Sequence, residues 1–174
     1  WCAFDSRKFR IVRDPGRGTW HTDAPTLPVV TVSLAGAEAY CAWRTRVTGR
    51  THRLPSEREW EKAARGPESF VFAYGNVYRP AAANQESGEL RDVGGYAPNG
   101  YGLHDMTGNA FEWTADAYPG VAGAQVLRGG SFVLDGMYLR NSFRMRQDAD
   151  VRTDDFGFRV ARDLAPAENS ELMR

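Results

Sequence analysis

The chain has 174 residues, 42% of them apolar, with 9 Phe, 7 Tyr and 5 Trp, enough to bury one substantial core and too few for two. Its 22 basic residues balance 22 acidic ones, which excludes the electrostatic footprint of a nucleic-acid or anionic-membrane binder. No apolar run approaches the roughly 20 residues of a membrane span, and two cysteines, Cys2 and Cys41, exclude a disulfide framework.

The opening Trp1-Cys-Ala-Phe4 reads as folded sequence, so the expectation is a piece of a longer multidomain chain, soluble and cytoplasmic. Residues 1–31 mix Arg, Asp, Gly and Pro around apolar pairs and predict one short strand near Phe9 to Ile11 followed by a loop. Val29 to Val32 leads into Ser33, an N-cap for a helix over 34–47 whose face carries Ala37, Tyr40, Cys41 and Trp43, with Gly49 as the stop. On that face Cys41 is expected as a buried free thiol. Ser56-Glu-Arg-Glu59 forms a capping box for a second helix carrying Trp60, Ala63 and Ala64, closed by Gly66. Trp43, Trp60 and Trp113 are all expected in the core.

From Pro67 onward Gly, Pro, Asn and Asp recur every few residues, which predicts long structured loops with short strands. Three strands are expected: 125–127, an alternating run over 138–145, and 157–162. Residues 164–174 read as a polar tail that frays, which leaves one domain over 1–163. The fold class is therefore α+β: two helices, then long loops, then short antiparallel strands. Loops of this length need their own tethering inside a compact domain.

Several blocks carry a resemblance. Pro28-Val-Val-Thr-Val-Ser33, Gly49-Arg-Thr-His-Arg-Leu-Pro-Ser-Glu-Arg-Glu-Trp60, Pro98-Asn-Gly-Tyr-Gly-Leu-His-Asp-Met-Thr-Gly-Asn-Ala-Phe-Glu-Trp113, Arg128-Gly-Gly-Ser131 and Gly157-Phe-Arg159 stand in one order. Together they resemble the formylglycine-generating-enzyme, or sulfatase-modifying factor, family. The resemblance implies a C-type lectin-like fold with the family's N-terminal strands missing. It also places Leu134 and Leu139 at two cysteines that hold copper in the oxidase members. Leucine offers no lone pair, so copper is not expected. The iron of a second branch is not expected either, because His21, His52 and His104 are widely spaced.

By the same resemblance Asp105, Gly108, Ala110 and Glu112 match a structural calcium site, two carboxylates and two backbone carbonyls suiting a hard cation. The alternative is that Asp105 and Glu112 accept backbone N–H bonds that pin the turn without metal. Arg128 and Arg159 are expected to pair with carboxylates such as Glu112 or Asp116. Ser131 matches a family serine, but no base accompanies it, and its expected role is structural.

The chain also resembles versions of the family fused to bacterial serine/threonine kinases, and variable proteins diversified between the Gly-Gly-Ser block and Gly-Phe-Arg. The functional expectation is a non-catalytic binding domain for a protein or small-molecule ligand, with no nucleic acid and no membrane segment involved. Its surface would be built from Phe132, Val133, Leu134, Asp135, Tyr138, Asn141, Phe143, Asp148 and Asp154, about half of the apolar ones facing the core. An oxygen-dependent thiol-modifying enzyme using metal supplied elsewhere and a structural adaptor for an attached kinase or protease are the alternatives.

Overall fold

The computed structural model describes residues 11–13, 20–22 and 24–164. Strands β1 (Ile11–Arg13) and β2 (Trp20–Thr22) pair antiparallel, where the sequence predicted one strand ending at Ile11. Phe9 and the tail 165–174 lie outside the described residues. The 15-residue helix α1 (Leu34–Thr48) starts at Ser33, whose side chain accepts the Gly36 N–H, and ends at Gly49 in the left-handed region. Strand β3 (His52–Arg53) follows, then helix α2 (Glu57–Arg65) and a 3₁₀ turn at Pro80–Ala82. The remaining strands are β4 (Phe111–Ala117), β5 (Ala124–Arg128), β6 (Met145–Asp148), β7 (Phe156–Phe158) and β8 (Ala161–Arg162).

The central sheet runs β6-β5-β4-β7, antiparallel except for the parallel β4–β7 pair, while β8 leaves it to pair with β3. β4 organises the two layers because its side chains alternate. Phe111 and Trp113 point into a cluster with Val32, Ala37, Cys41, Leu54, Leu127 and Phe156 on the α1 side. Glu112 and Thr114, also buried, face the opposite way, where Trp60, Ala64 and Met106 of the α2 side form a second cluster. Cys41 is buried and free, and burial, with Glu38 nearby, pushes its thiol above the ordinary range.

Three expectations are corrected. The run 138–145 is not one strand: residues 138–144 form turns and β6 begins at Met145. The carbonyls of Asn141 and Phe143 are taken by the Arg128 guanidinium, so a side chain satisfies what a ladder partner would otherwise have to. The run 157–162 divides because Phe158 belongs with β4 whereas Ala161 pairs with Arg53. Trp43 is 45% exposed and Tyr40 43%, since α1 buries only the narrow stripe of Ala37 and Cys41, whose small side chains let the helix approach the sheet closely. Trp60 and Trp113 are in the core as expected. β4 itself was missed.

The capping box forms as read: Ser56 accepts from Glu59 N–H, and the Glu59 carboxylate accepts from Ser56 N–H. Arg53 then grips both Glu59 oxygens at 2.7 and 2.8 Å. These bonds, Arg53 foremost, lower the Glu59 pKa from 4.5 to about 2. A carboxylate with a depressed folded-state pKa adds stability that is complete above the unfolded value and is lost as pH falls through the folded one. Thermal melts should therefore show stability declining between about pH 4.5 and 2, and Glu59→Gln should flatten that part of the acid limb. An unchanged slope would remove Glu59 from the account.

Candidate functional site

The Gly-Gly-Ser block sits at the end of β5, where the oxidase-type metal position of the resemblance would lie. Leu139 is wholly buried and packs against Gly130, and Leu134 packs on the α1-side cluster. Gly130 has φ +75°, and a Cβ there would collide with the Leu139 side chain, so the glycine and the leucine fit as one packing unit. Two aliphatic side chains thus occupy the volume between the block and the following turns. Ser131 is fully buried and its Oγ finds no hydrogen-bond partner, so no base is poised to activate it. His52 Nδ1 lies 2.7 Å from the Arg50 carbonyl and His104 Nδ1 lies 2.8 Å from the Tyr96 carbonyl. Among the described residues no three His, Cys, Asp or Glu side chains converge as a metal cluster.

Of the four residues matched to a calcium site, Asp105, Ala110 and Glu112 line one cleft and Gly108 lies against the Asn84 backbone, but a guanidinium already holds Glu112. Arg159 donates to both oxygens of Glu112 at 2.5 and 2.7 Å and to the His104 carbonyl at 3.2 Å. The Trp60 indole N–H adds a third bond to Glu112 at 2.6 Å. Burial acts against the charge on Arg159, but Glu112 and then Asp105 outweigh it, and its pKa is raised. Asp105, at φ +55°, accepts the Gly94 N–H at 2.6 Å. A calcium ion takes about six to eight oxygen ligands, and a carboxylate serves it with oxygens free to coordinate. Here three N–H groups hold Glu112 and Arg159 cancels one of the charges, so the residues as arranged do not fit the ion. The alternative of backbone N–H bonds holds for Asp105, which accepts from Gly94, but the donors to Glu112 are the Trp60 indole and the Arg159 guanidinium.

Arg128 does not pair with Glu112 or Asp116, as the sequence suggested. Its buried guanidinium reaches Glu61 on α2 and lies over the Trp60 ring, 5.4 Å from the centroid. Asp116 instead accepts the Glu57 N–H at the start of α2.

The long loops are held by buried asparagines that sequence reasoning did not single out. Asn84 Nδ2 donates to Asn109 Oδ1 at 2.9 Å, and the Asn109 side chain exchanges two bonds with the Arg91 backbone at 3.0 and 3.1 Å. Asn99 donates to the Ala63 carbonyl at the end of α2 while accepting from Tyr101 and Leu103 N–H. The available signal was the Gly-Asn pair at residues 108–109: Gly108 has φ +76° and a Cβ would overlap the Asn84 carbonyl, so the two loops cross in backbone contact.

The nine residues proposed as a ligand surface are split by the fold. Phe132 and Asn141 are buried, Asn141 donating to the Phe70 carbonyl, so neither is presented to a partner. Leu134 and Phe143 are half-buried against the core, and Tyr138, 39% exposed, stacks edge-on against Phe143 with centroids 5.2 Å apart. Val133, Asp135, Asp148 and Asp154 are exposed, the two last on and beyond β6. The structure brings Val133, Asp135 and Tyr138 together with Met137, which is 63% exposed, and with Tyr78, whose ring lies against Gly136.

Comparison with known proteins places this geometry. A model of the sulfatase-modifying factor enzyme 1-like domain matches residues 4–164. The chain is 39% identical to a Mus musculus protein named inactive C-alpha-formylglycine-generating enzyme 2, over 92% of this chain and 56% of that protein. It is 31% identical to the formylglycine-generating enzyme of Thermomonospora curvata, over 94% of this chain and 64% of that protein. It is also 32% identical to the serine/threonine-protein kinase pkn1 of Chlamydia pneumoniae, over 91% of this chain but 28% of the kinase. Among solved structures, PvdO from Pseudomonas aeruginosa matches with TM-score 0.74 at 30% identity, over 80% of this chain and 63% of that one. The chain therefore spans 56% and 64% of the length of the first two relatives. With five sequence blocks, the two-helix architecture and a family model all agreeing over nearly its whole length, the chain belongs to the formylglycine-generating-enzyme, or sulfatase-modifying factor, family.

Proposed function

We propose that this domain recognises a ligand without transforming it. The observation that carries the reading is the place of Leu134 and Leu139: both are packed into apolar surroundings at the positions where the resemblance puts a thiolate pair. Soft-metal chemistry needs sulfur or comparable donors, and Ser131, Leu134 and Leu139 supply no substitute. Similarity to a protein named inactive supports the reading, while similarity to one named as an active enzyme supplies the test. The match to part of a kinase chain supports a place as one domain of a larger protein.

The recognition surface is assigned to the exposed rim formed by Val133, Asp135, Met137 and Tyr138 beside Tyr78. Aromatic and flexible apolar side chains next to a carboxylate are the composition of interface hot spots. At the opposite extreme Phe132 and Asn141 act as its internal supports.

Three outcomes are expected. Purified chain supplied with copper(I), oxygen and a cysteinyl peptide should yield no aldehyde by mass spectrometry, and catalytic aldehyde formation would sink the non-catalytic reading. In denaturant titrations Phe132→Ala should lose about 3–5 kcal/mol, whereas Val133→Ala should stay within about 0.5 kcal/mol; equal losses would mean that Val133 belongs to the core and not to a rim. Because Arg159 already neutralises Glu112, melting in calcium should match melting in EDTA. A rise of several degrees with calcium would show that the ion displaces Arg159.

A further inference from the structure

A cleft of about 760 Å³ opens between residues 28–32, α1 and the loop 93–105, with the connection from β7 to β8 at its floor. None of its lining residues falls within 131–155, so it is separate from the rim proposed above. Its walls are apolar: Val29, Val32, Tyr40, Leu103, Phe158 and Val160. Tyr40 meets Phe158 edge-on with centroids 5.5 Å apart, making an aromatic corner. Of the lining residues Val29 is 57% exposed and Val93 56%, so the apolar lip of the cleft is in water.

The polar groups gather at one end. Asp105, Glu112 and Arg159 line the cleft beside His104 and Asn109; with Arg159 bound to Glu112 and histidine counted neutral, two carboxylates face one guanidinium. The end carries a net negative charge. Glu112 is occupied by Arg159 and Trp60, whereas Asp105 takes one backbone N–H, from Gly94, and a carboxylate has lone pairs for further donors. Apolar walls with a few convergent polar groups are the composition of small-molecule sites. The sign of the charge selects among ligands: a carboxylate or phosphate is repelled, and a neutral molecule leaves the charge on Asp105 uncompensated as water is displaced.

We infer that this cleft binds a primary ammonium ion carried on an aromatic or branched aliphatic body, the ammonium against Asp105 and the body between Tyr40, Phe158 and Val29. The ammonium brings three donors and the positive charge that the end lacks. The body covers the apolar lip.

The probe is phenethylamine, titrated calorimetrically in EDTA so that no calcium shares the corner, with phenethyl alcohol and phenylacetate as neutral and anionic counterparts. Phenethylamine should bind saturably with Kd of about 1 mM or below, the scale for a fragment of this size. The alcohol should bind at least about tenfold more weakly, the scale of a charged hydrogen bond, and phenylacetate should give no signal. Asp105→Asn suits the positive φ, which asparagine tolerates, and leaves an oxygen for Gly94, so it should fold while losing the preference for amine over alcohol. Tyr40→Ala, at a half-exposed position, should weaken amine and alcohol alike. Equal affinity for amine and alcohol, full affinity in Asp105→Asn, or no binding of phenethylamine up to about 20 mM would each overturn the assignment. None of these outcomes depends on whether the rim around Tyr138 binds a partner.

Discussion

One carboxylate ties this domain together. Glu112 leaves β4 on the α2 face and accepts from Trp60 of α2 and from Arg159 just after β7, so a helix and the two parallel strands of the sheet meet at a single charged group. Its side chain is 11% exposed and that of Arg159 27%. Removing one partner of such a pair strands the other charge in a poorly solvated place, at a cost of about 3–5 kcal/mol. β7 and β8 separate because Phe158 pairs with β4 whereas Ala161 pairs with Arg53 of β3.

The same face of the sheet carries a second cation. Arg128, opposite Glu112 in the β4–β5 register, has no exposed side-chain surface and spends its donors on Glu61 and on the Asn141 and Phe143 carbonyls. It clamps the loop after the Gly-Gly-Ser block from beneath, and Trp60 fills the space between the two arginine systems. Buried Asn84, Asn99 and Asn109 do the corresponding work for the loops before β4. Each such bond is worth only about 1 kcal/mol net. The larger effect is that a buried amide left unmatched costs more than the bond returns, so alternative arrangements that would break the bonds of Asn84, Asn99 and Asn109 are disfavoured. A domain with little regular secondary structure is thereby held by side-chain bonds to its loops.

These anchors separate the molecule into parts that are free to vary in chemistry and parts that are not. Phe132, Leu139 and Asn141 support the turns from inside, while Val133, Met137 and Tyr138 project from them. Leucines fill the interior where the resemblance puts two cysteines, so the outer residues stand on packed apolar side chains. The Asp105 cleft lies apart from that platform, but Glu112 connects the two regions, since it lines the cleft and bonds the tryptophan that packs beside Arg128.

Much of this was legible in the residues. Ser33 and Gly49 bracket α1, the Ser56–Glu59 box starts α2, and the ordered Gly-rich blocks identify the family, because caps, turns and motif spacing are local and carry their own chemistry. The α+β class followed from the same pattern. What stayed hidden depends on contacts distant in sequence. β4 was not recognised because its leading glycines read as loop, although Phe111, Glu112, Trp113 and Thr114 alternate as a strand does. Trp43 looked like core because helical spacing shows which residues share a face but not how wide a stripe the sheet covers. Arg159 was expected to meet a carboxylate such as Glu112 and does so, 47 residues away, but Arg128 as the partner of Glu61, 67 residues away, was decided only by the tertiary fold, since charge alone cannot say which carboxylate a guanidinium reaches. The sequence determined the family and the missing sulfur ligands; the packing decided which side chains support the surface and which are offered to a ligand, because burial is a property of neighbours brought together by folding.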